Sequence, residues 1–273
     1  MPKTALAPVA RDVPKDCVAA FLSELRAAGA GNLLLDYDGT LAPFTADRDK
    51  ARPHPEIPGL LDRIMRIPSC RVLVISGRLA TSVALLLGTR RMPEIWGLHG
   101  LERINAAGVR EVLPFSELDL RVLADADAQL TAAGLAQYLE FKPGSVAVHW
   151  RGLAALQKKK IRLQARRILD SLALQSQLLV LDFAEGIELR VSSANKGDAV
   201  RSALGERTAF PTVYIGDDLT DEDAFRAVNE LNGLSILMRR ERRETCARAW
   251  FQTPAQLFAF LRHWIEACEG GRR

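Results

Sequence analysis

The chain is poor in cysteine and histidine, the residues that build disulfide frameworks and zinc sites. Its four cysteines, Cys17, Cys70, Cys246 and Cys268, lie far apart, and no two of them form a CxxC pair. This argues against a disulfide-stapled fold and against a structural zinc site, because both need closely spaced cysteines or histidines. Reduced thiols are typical of the cytoplasm, so we expect a cytoplasmic protein.

Long apolar runs are also missing. No stretch approaches the roughly 20 residues that a membrane-spanning helix requires. Charged residues at Arg11, Asp12, Lys15 and Asp16 interrupt the N-terminal segment, which therefore lacks the apolar centre of a signal peptide. We expect no association with a membrane.

Charge of one sign is not concentrated in the sequence. The 37 basic residues nearly balance the 33 acidic ones, and the net charge is +4. The basic clusters at 158–160 and 239–240 are short, and we interpret them as solvated faces rather than a nucleic-acid-binding surface. A small anionic substrate suits this mild positive charge, and no nucleic-acid partner is expected.

The sequence does contain enough apolar residues to build a large core. Of its 273 residues, 48% are hydrophobic, which fits one large domain or two smaller ones. Three short apolar runs predict strands that are buried on both faces, at 32–35, 71–75 and 212–215. Such strands are typical of a parallel sheet with helices on either side, and hence of the α/β class. Around them, the spacing predicts a tail at 1–13, helices at 14–28, 59–67, 79–88, 196–204, 221–229 and 254–268, a hairpin of 95–104 with 109–113, and a strand at 234–238.

The middle of the chain follows another rhythm. The pattern there predicts, in order, a helix, two strands, a helix and two strands, at 116–134, 137–142, 145–150, 153–176, 178–183 and 186–191. We interpret residues 115–191 as an α+β module (αββαββ) inserted into an α/β core formed by residues 1–114 and 192–273.

Polar, glycine-containing turns follow the three buried strands. These turns are Asp36-Tyr37-Asp38-Gly39-Thr40, Ser76-Gly77-Arg78 and Gly216-Asp217-Asp218. Ligands of open parallel sheets bind at the carboxyl ends of the strands, so Asp36, Asp38, Ser76 and Asp217 are expected to meet there. Each turn alone is more often an ordinary turn or helix cap. All three together, each after a buried strand, favour a functional site.

Carboxylates gathered in one crevice repel one another and need a proton or a cation to compensate. The candidate ligands are all oxygens, which suits Mg²⁺ rather than zinc. A carboxylate cluster with Mg²⁺ fits phosphate-ester chemistry. Ser76 and Lys196, with the backbone N–H groups of Gly39 and Thr40, are candidate phosphate ligands.

Four strings of the sequence resemble the motifs of the haloacid-dehalogenase phosphatase superfamily. They are DYDGTLAPF at 36–44, VISGR at 74–78, NKG at 195–197 and YIGDDLTDEDAF at 214–225. The DxDGT motif identifies only the superfamily, whereas the first and last strings are more specific and resemble the trehalose-6-phosphate phosphatase branch. The resemblance runs from about residue 32 to 265 and implies a Rossmann-like core with an αββαββ cap. One departure is that Arg190 is followed by Val191-Ser192-Ser193, where the family usually has a proline.

The resemblance implies catalytic and metal-binding roles for the aspartates. Asp36 would attack phosphorus and form an aspartyl-phosphate intermediate. Asp38 would protonate the leaving sugar oxygen and then activate water. Mg²⁺ would be held by the Asp36 carboxylate, the Asp38 backbone carbonyl and Asp217. Asp218 and Asp221 would support the metal and its waters.

It also implies the phosphate ligands. Ser76 and Lys196 would grip the transferring phosphoryl group, and Thr40 would help to position it. His99 and Gly100 lie in another stretch that resembles a family motif, to which we assign no specific role.

Residues of the inserted module are the candidate sugar ligands. Strand alternation places Glu140 and Lys142 on one face, and likewise His149 and Arg151. That spacing alone fits a surface ladder of charged pairs as well. The family resemblance instead implies sugar-hydroxyl ligands at Glu140, Lys142, Arg151 and Glu188.

The expected function is hydrolysis of trehalose 6-phosphate by a stand-alone, monomeric phosphatase, since the chain is too short for an attached synthase domain. The core motifs fit another sugar phosphate of the sucrose or glucosylglycerol type equally well. A catalytically idle sugar-phosphate sensor is the third hypothesis. It ranks lower because such proteins usually lose the nucleophile or a metal ligand, and Asp36, Asp38, Lys196 and Asp217 are all present.

Overall fold

The computed structural model describes most of the chain. The described residues are 16–45, 47–112, 115–176, 178–183, 185–191, 195–205 and 209–270. The predicted tail at 1–13 and the Ser192-Ser193 departure lie outside them.

Within the described residues, twelve strands form two separate sheets. In chain order they are β1 Gly31–Leu35, β2 Cys70–Ile75, β3 Glu94–Gly97, β4 Glu102–Ile104, β5 Arg110–Val112, β6 Leu139–Lys142, β7 Ser145–His149, β8 Leu179–Phe183, β9 Gly186–Arg190, β10 Thr212–Gly216, β11 Leu234–Met238 and β12 Ala249–Phe251. The larger sheet has eight strands in the order β12-β11-β10-β1-β2-β3-β4-β5. Its strands are parallel from β12 to β3, and β4 and β5 are antiparallel.

Strand β1, which ends directly before Asp36, lies in the middle of the larger sheet. Leu35 at the end of β1 pairs with Ile215 of β10 on one side and with Val74 of β2 on the other. All five residues of β1 are buried, as its apolar sequence predicts. The three polar turns therefore leave neighbouring strands at the same edge of the sheet, and the predicted α/β parallel sheet is confirmed.

In the described part of the chain, eight α-helices pack around the sheets. They are α1 Asp16–Ala28, α2 Ile57–Ile64, α3 Ala80–Leu87, α4 Glu117–Ala132, α5 Ala155–Ala173, α6 Lys196–Leu204, α7 Glu222–Glu230 and α8 Pro254–Gly270. On one face of the larger sheet, Phe21 of α1 and Trp264 of α8 pack against Leu33. On the other face, Val200 of α6 and Phe225 of α7 pack against Leu34 and Tyr214. Full burial of each large apolar side chain contributes about 1.5–3 kcal/mol, so both faces stabilise the central strands.

The remaining elements, α4 to β9, form one module that we call the insert (residues 117–190). Its four strands are antiparallel in the order β6-β7-β9-β8. The apolar side chains of Val146, Val148 and Ile187 face α4 and α5 and form a separate core. The opposite face carries polar side chains, because successive residues of a strand alternate between faces.

That polar face is not a solvated ladder. Glu140 pairs with Ala147, which pairs with Glu188, so the acidic residues share one face. Lys142, Glu188 and Arg190 on this face are only 6%, 3% and 4% exposed. A charged face this deeply buried must contact other polar groups, since buried charges are stable only when they are paired.

The predicted hairpin of 95–104 with 109–113 is wrong in its first strand. A 3-10 turn at Leu98–Gly100 splits this stretch into β3 and β4. The chain reverses there, because Leu98 and His99 both adopt left-handed backbone conformations. β4 and β5 do form a hairpin.

Smaller differences concern the C-terminal third and the insert. The predicted helix at 221–229 begins as a 3-10 turn at Leu219–Asp221 and continues as α7. β12 was not predicted, because three residues are too few to establish a period. The predicted strand at 145–150 ends at His149, so Arg151 lies in the following turn. None of the described helices is both long and apolar enough to cross a membrane.

Candidate active site

The turn after β1 places two aspartates at the centre of the sheet edge. Asp36 is 3% exposed, and its backbone N–H donates to the carbonyl of Ile215 in β10. Gly39 has φ 82°, a conformation that favours glycine. A Cβ at Gly39 would lie 2.2 Å from Oδ2 of Asp217, so this position also leaves room for the Asp217 carboxylate. The turns after β1 and β10 are therefore in direct contact.

Lys196 reaches this centre from the first turn of α6. The helix begins there because the side chain of Asn195 accepts from the N–H of Asp198, and the Asp198 carboxylate accepts from the N–H of Asn195. The Nζ of Lys196 donates to Oδ1 of Asp36 at 2.6 Å and to Oδ1 of Asp221 at 2.7 Å. One buried cation thus joins two of the carboxylates.

Asp221 is fully buried, and both of its oxygens are occupied by donors. Oδ1 accepts from Lys196 and, at 2.6 Å, from the hydroxyl of Tyr214. Oδ2 accepts from the backbone N–H groups of Asp217 and Asp218 at 2.9 and 2.8 Å. With four donors already bound, this carboxylate is suited to fixing the turn after β10 and orienting Lys196. Tyr214 was not predicted as a site residue, because a tyrosine in an apolar strand gives no signal of its own.

Asp36, Asp217 and Asp221 each offer an oxygen within 4.8 Å of the others. Burial raises the pKa of Asp36 to about 7, against the attraction of Lys196 and with added repulsion from Asp221. Burial, followed by repulsion from Asp36, also raises the pKa of Asp217 well above its ordinary value. Burial opposes the charge on Lys196, but Asp221 and Asp36 outweigh it and raise the Lys196 pKa. A single lysine leaves surplus negative charge among three carboxylates.

The surplus charge fits a bound metal ion. Oδ1 of Asp217 is buried and has no hydrogen-bond donor among the described residues. A buried acceptor without a donor destabilises a folded protein. Such an atom in a native structure therefore indicates a bound ligand or ion that supplies the missing partner. Since the cluster consists of carboxylate oxygens, the residues suit a hard cation better than a soft one.

The turn after β2 contributes Ser76 and Arg78. Ser76 is 1% exposed, and its Oγ accepts from the N–H of Arg78. The guanidinium of Arg78 donates from Nε and Nη2 to the two oxygens of Asp38, at 2.6 and 2.7 Å, and lies over the ring of Tyr37. This two-point contact fixes the orientation of Asp38. Arg78 stood in the predicted turn but had no predicted role, because its partner is 40 residues away.

The polar face of the insert holds a connected set of charged groups. Oε1 of Glu188 accepts from Oγ of Ser145 at 2.7 Å and lies 3.3 Å from Nζ of Lys142. Oε2 of Glu140 lies 2.7 Å from Nε2 of His149 and 3.5 Å from Nζ of Lys142. Lys142 therefore stands between the two carboxylates.

The insert contacts the core on both sides of the acidic cluster. Arg151 donates from Nη1 to the carbonyl of Thr45, and its guanidinium lies over the ring of Phe44. Nε2 of His99 lies 3.4 Å from Oε2 of Glu188. A cavity of about 90 Å³, partly open to solvent, lies between the core and the insert beside these contacts.

Nine of the predicted site residues line this cavity: Asp36, Asp38, Ser76, Lys142, Arg151, Glu188, Lys196, Asp217 and Asp218. Thr40, Glu140 and Asp221 are not in its lining. The hydroxyl of Thr40 is buried and has no partner within the described part of the chain. The structure thus brings core and insert residues to one cavity. Asp221 and Glu140 do not line it but contact residues that do, Lys196 and His149.

A larger cavity, of about 1030 Å³, opens at the amino ends of β2 and β3, away from the acidic cluster. Two of its arginines, Arg71 and Arg103, are both paired with Glu94. The larger volume does not by itself identify the active site. The buried carboxylates of Asp36 and Asp217, which could act as a nucleophile or bind a metal, line the smaller cavity.

Comparison with known proteins places this arrangement in one family. A family model described as trehalose-phosphatase matches residues 34–251. A probable trehalose-phosphate phosphatase from Sinorhizobium fredii is 32% identical over 213 residues, which cover 75% of this chain and 76% of that protein. A trehalose-phosphate phosphatase from Mycobacterium ulcerans is 32% identical over 244 residues, covering 84% of this chain and 60% of that protein. The chain thus matches less than two thirds of the mycobacterial relative's length.

A solved structure supports the same grouping at the level of the fold. The C-terminal domain of trehalose-6-phosphate phosphatase from Candida albicans superposes with a TM-score of 0.81, at 20% identity, over 97% of this chain and 99% of that one.

Proposed function

The chain belongs to the trehalose-phosphatase family, and on this basis we propose that it hydrolyses trehalose 6-phosphate to trehalose and phosphate. The observation that carries the proposal is the buried group of Asp36, Asp217 and Lys196 facing a small cavity under the polar face of the insert. The acidic group and the lysine suit a phosphoryl group and a metal, and the insert offers charged partners to sugar hydroxyls.

In the proposed mechanism, the Asp36 carboxylate attacks phosphorus and displaces the sugar oxygen, which takes a proton from Asp38. The products of this step are the free sugar and an aspartyl phosphate. Asp38 then removes a proton from water, which attacks the same phosphorus and releases phosphate and the Asp36 carboxylate. Two observations support the role of Asp38: it lines the cavity, and its side chain is 24% exposed. Because Arg78 donates to both carboxylate oxygens, we propose that Asp38 releases at least one of these hydrogen bonds before it carries a proton.

Mg²⁺ is the metal that we propose for the acidic cluster. The Asp36 carboxylate, the Asp38 backbone carbonyl and Asp217 would hold it, and Asp218 and Asp221 would support them. When bound, it would neutralise negative charge on the phosphoryl group and on the cluster. The unpartnered Oδ1 of Asp217 supports this assignment, as do the donors that occupy both oxygens of Asp221.

Ser76 and Lys196 are the proposed phosphoryl ligands, and both line the cavity beside Asp36. Each offers a donor to an equatorial phosphoryl oxygen. We propose that Thr40 acts through the backbone of its turn, since its side chain does not line the cavity.

We propose that residues 115–191 act as a cap that reads the sugar through Glu140, Lys142, Arg151 and Glu188. The cavity of about 90 Å³ adjoins a wider cleft of about 700 Å³, whose lining also includes Phe44, Arg151 and Asp217. We propose that the cap closes over the bound substrate and excludes water until the intermediate needs it.

The setting that we propose is a cytoplasmic monomer. No disulfide bond forms among the described residues, which suits a reducing compartment. Both the acidic cluster and the sugar-facing strands come from one chain, so the site needs no second copy to complete it.

Phosphate release across a panel of sugar phosphates, with and without Mg²⁺, tests the proposal. We expect kcat/KM for trehalose 6-phosphate to exceed that for glucose 6-phosphate by at least about tenfold, because the second sugar ring adds hydrogen bonds to the cap. We also expect Glu140→Ala to raise KM for trehalose 6-phosphate far more than for p-nitrophenyl phosphate, which has no sugar.

Three outcomes would change the assignment. Equal rates on the two sugar phosphates would contradict trehalose specificity and leave a sugar phosphatase. Faster turnover of a sucrose or glucosylglycerol phosphate would favour that substrate instead. Binding without turnover would favour a sensor.

Mg²⁺ is expected to stabilise the protein more at pH 8 than at pH 5. The raised pKa values mean that the metal-free fold retains protons on Asp36 and Asp217 that the unfolded chain has lost. Its stability therefore falls as pH rises from about 4 towards the folded Asp36 pKa of about 7. Mg²⁺ displaces those protons and relieves the repulsion, so the Mg²⁺-induced rise in Tm grows over the same range.

Differential scanning calorimetry at both pH values measures this effect. Asp217→Asn should raise the metal-free Tm at pH 8 and remove most of the Mg²⁺ effect, whereas Asp125→Asn, on the exposed side of α4, should change neither. The same Mg²⁺ shift at both pH values, or in Asp217→Asn, would show that the ion binds elsewhere.

A further inference from the structure

The turn at Leu98–Gly100 holds an unusual backbone conformation. Leu98 has φ 51° and His99 has φ 58°, and neither is a glycine. The left-handed region costs such residues about 1–2 kcal/mol each. Two backbone hydrogen bonds fix the turn, from the N–H of Leu98 to the carbonyl of Arg78 and from the N–H of His99 to the carbonyl of Ser76. The turn is thus tied directly to the Ser76-Gly77-Arg78 turn.

The imidazole of His99 lies against Gly77 in this arrangement. A Cβ at position 77 would be 2.6 Å from Nε2 of His99, so the glycine leaves the space that the ring occupies. His99 is 8% exposed and lines the cavity beside Asp36 and Ser76. The strained turn therefore carries its ring into the site.

The ring faces the insert through a single polar contact. Its Nε2 lies 3.4 Å from Oε2 of Glu188. Because burial, followed by repulsion from Arg190, lowers the pKa of His99 to about 4, the ring is neutral at pH 7. A carboxylate accepts hydrogen bonds, so Nε2 carries the hydrogen and Nδ1 is the acceptor. Nδ1 is buried with no partner in the described structure, which adds a second cost to the strained turn.

Glu188 is held on both of its oxygens as a result. Oε2 faces His99 of the core, and Oε1 accepts from Ser145 and Lys142 of the insert. These contacts fix the plane of the carboxylate, since rotating it would break at least one of them.

We propose that His99 is a positioning residue for sugar recognition, which holds the Glu188 carboxylate in the orientation that receives a sugar hydroxyl when the insert lies on the core. The proposal rests on the proposed function. A packing role alone does not explain why a histidine occupies position 99. An apolar side chain would fill the same space between core and insert without leaving a buried nitrogen unpartnered. Strain concentrated beside a site is more often retained for function than for packing.

A pair of substitutions tests this role. Asparagine tolerates the left-handed conformation, but its amide is too short to reach Glu188. Glutamine places an N–H donor near the position of Nε2. We expect His99→Asn to lower kcat/KM for trehalose 6-phosphate by about 10- to 100-fold, mainly through KM, and for p-nitrophenyl phosphate by less than about threefold. His99→Gln should recover most of the loss on the sugar substrate.

A double-mutant cycle gives a second measurement. His99→Asn placed on Glu188→Gln should reduce kcat/KM for trehalose 6-phosphate little beyond Glu188→Gln alone, since the two residues act through one contact. The Tm of every variant shows whether the chain is folded at the assay temperature. If His99→Asn does not fold, His99→Met, which fills the same space without a donor, takes its place in the comparison with His99→Gln and in the cycle with Glu188→Gln.

The failure of this proposal is distinguishable from failure of the proposed function. Equal losses on both substrates, no rescue by glutamine, or additive effects in the cycle would overturn the role of His99 while wild-type turnover of trehalose 6-phosphate stands. A wild type that does not hydrolyse trehalose 6-phosphate would overturn the proposed function, and the role of His99 in sugar recognition with it.

Discussion

Asp36→Asn is expected to lower kcat for trehalose 6-phosphate by at least about 10⁴-fold, the scale seen when a covalent nucleophile is removed. The amide is a poor nucleophile and cannot form the acyl phosphate. Its shape matches the carboxylate, so its oxygen can still accept from Lys196, which donates to Oδ1 of Asp36 at 2.6 Å. The substitution therefore removes the proposed nucleophile with little change in packing.

Single-turnover phosphate release and intact-protein mass spectrometry measure the effect. The wild type, quenched during turnover, should carry one phosphoryl group, and Asp36→Asn should carry none. Asp125→Asn is the matched control, because it makes the same chemical change on an exposed helix position. Turnover within tenfold of wild type, after mass spectrometry has excluded deamidation back to aspartate, would refute covalent catalysis by Asp36.

The centre of the fold could be predicted from the sequence because its signals are local. The apolar runs at 32–35, 71–75 and 212–215 leave little alternative to strands covered on both faces, and the structure buries β1 and β10 throughout. Polar turns at the ends of such strands must meet at one edge, whatever the loops between them do. That geometry brought Asp36, Ser76 and Asp217 into one expected site.

Partners distant in sequence could not be predicted in the same way. Arg78 holds Asp38, and His99 faces Glu188, through contacts that exist only after the sheet and insert have packed. Asp221 illustrates another limit. The family resemblance implied a carboxylate at Asp221 that supports a metal, but not the four donors that occupy its oxygens.

In the insert, the sequence pattern predicted which residues share a face of the sheet but not whether that face is buried. Alternation correctly placed Glu140 and Lys142 on one face of β6. It left open whether that face is solvated, because burial depends on what packs against the sheet. The same dependence explains the error at 95–104, where apolar residues at strand spacing hide the left-handed turn at Leu98 and His99.

Lys196→Met is expected to lower kcat/KM by about 10³-fold, comparable to loss of a preorganised electrostatic contact in an active site. The Nζ of Lys196 lies 2.6 Å from Asp36 and 2.7 Å from Asp221, and the residue is 3% exposed. Methionine keeps much of the side-chain volume but leaves both carboxylates without their cation. Removing one partner of a buried ion pair typically costs about 3–5 kcal/mol, so the free energy of unfolding should fall as well.

Steady-state kinetics on two substrates separates the catalytic loss from the loss of stability. Every substrate carries the phosphoryl group, so Lys196→Met should reduce kcat/KM for trehalose 6-phosphate and p-nitrophenyl phosphate by similar factors, unlike Glu140→Ala or His99→Asn. Mg²⁺ should restore part of the lost Tm by neutralising the carboxylates but should not restore turnover, because the proposed donor to the phosphoryl group is absent. Lys160→Met, an exposed position on α5, should match wild type in both measurements. The contrary result is that turnover, assayed below the Tm of the variant, recovers in proportion to the folded fraction. Lys196 would then only stabilise the fold, and Ser76 and the backbone of the Asp36 turn would hold the phosphoryl group.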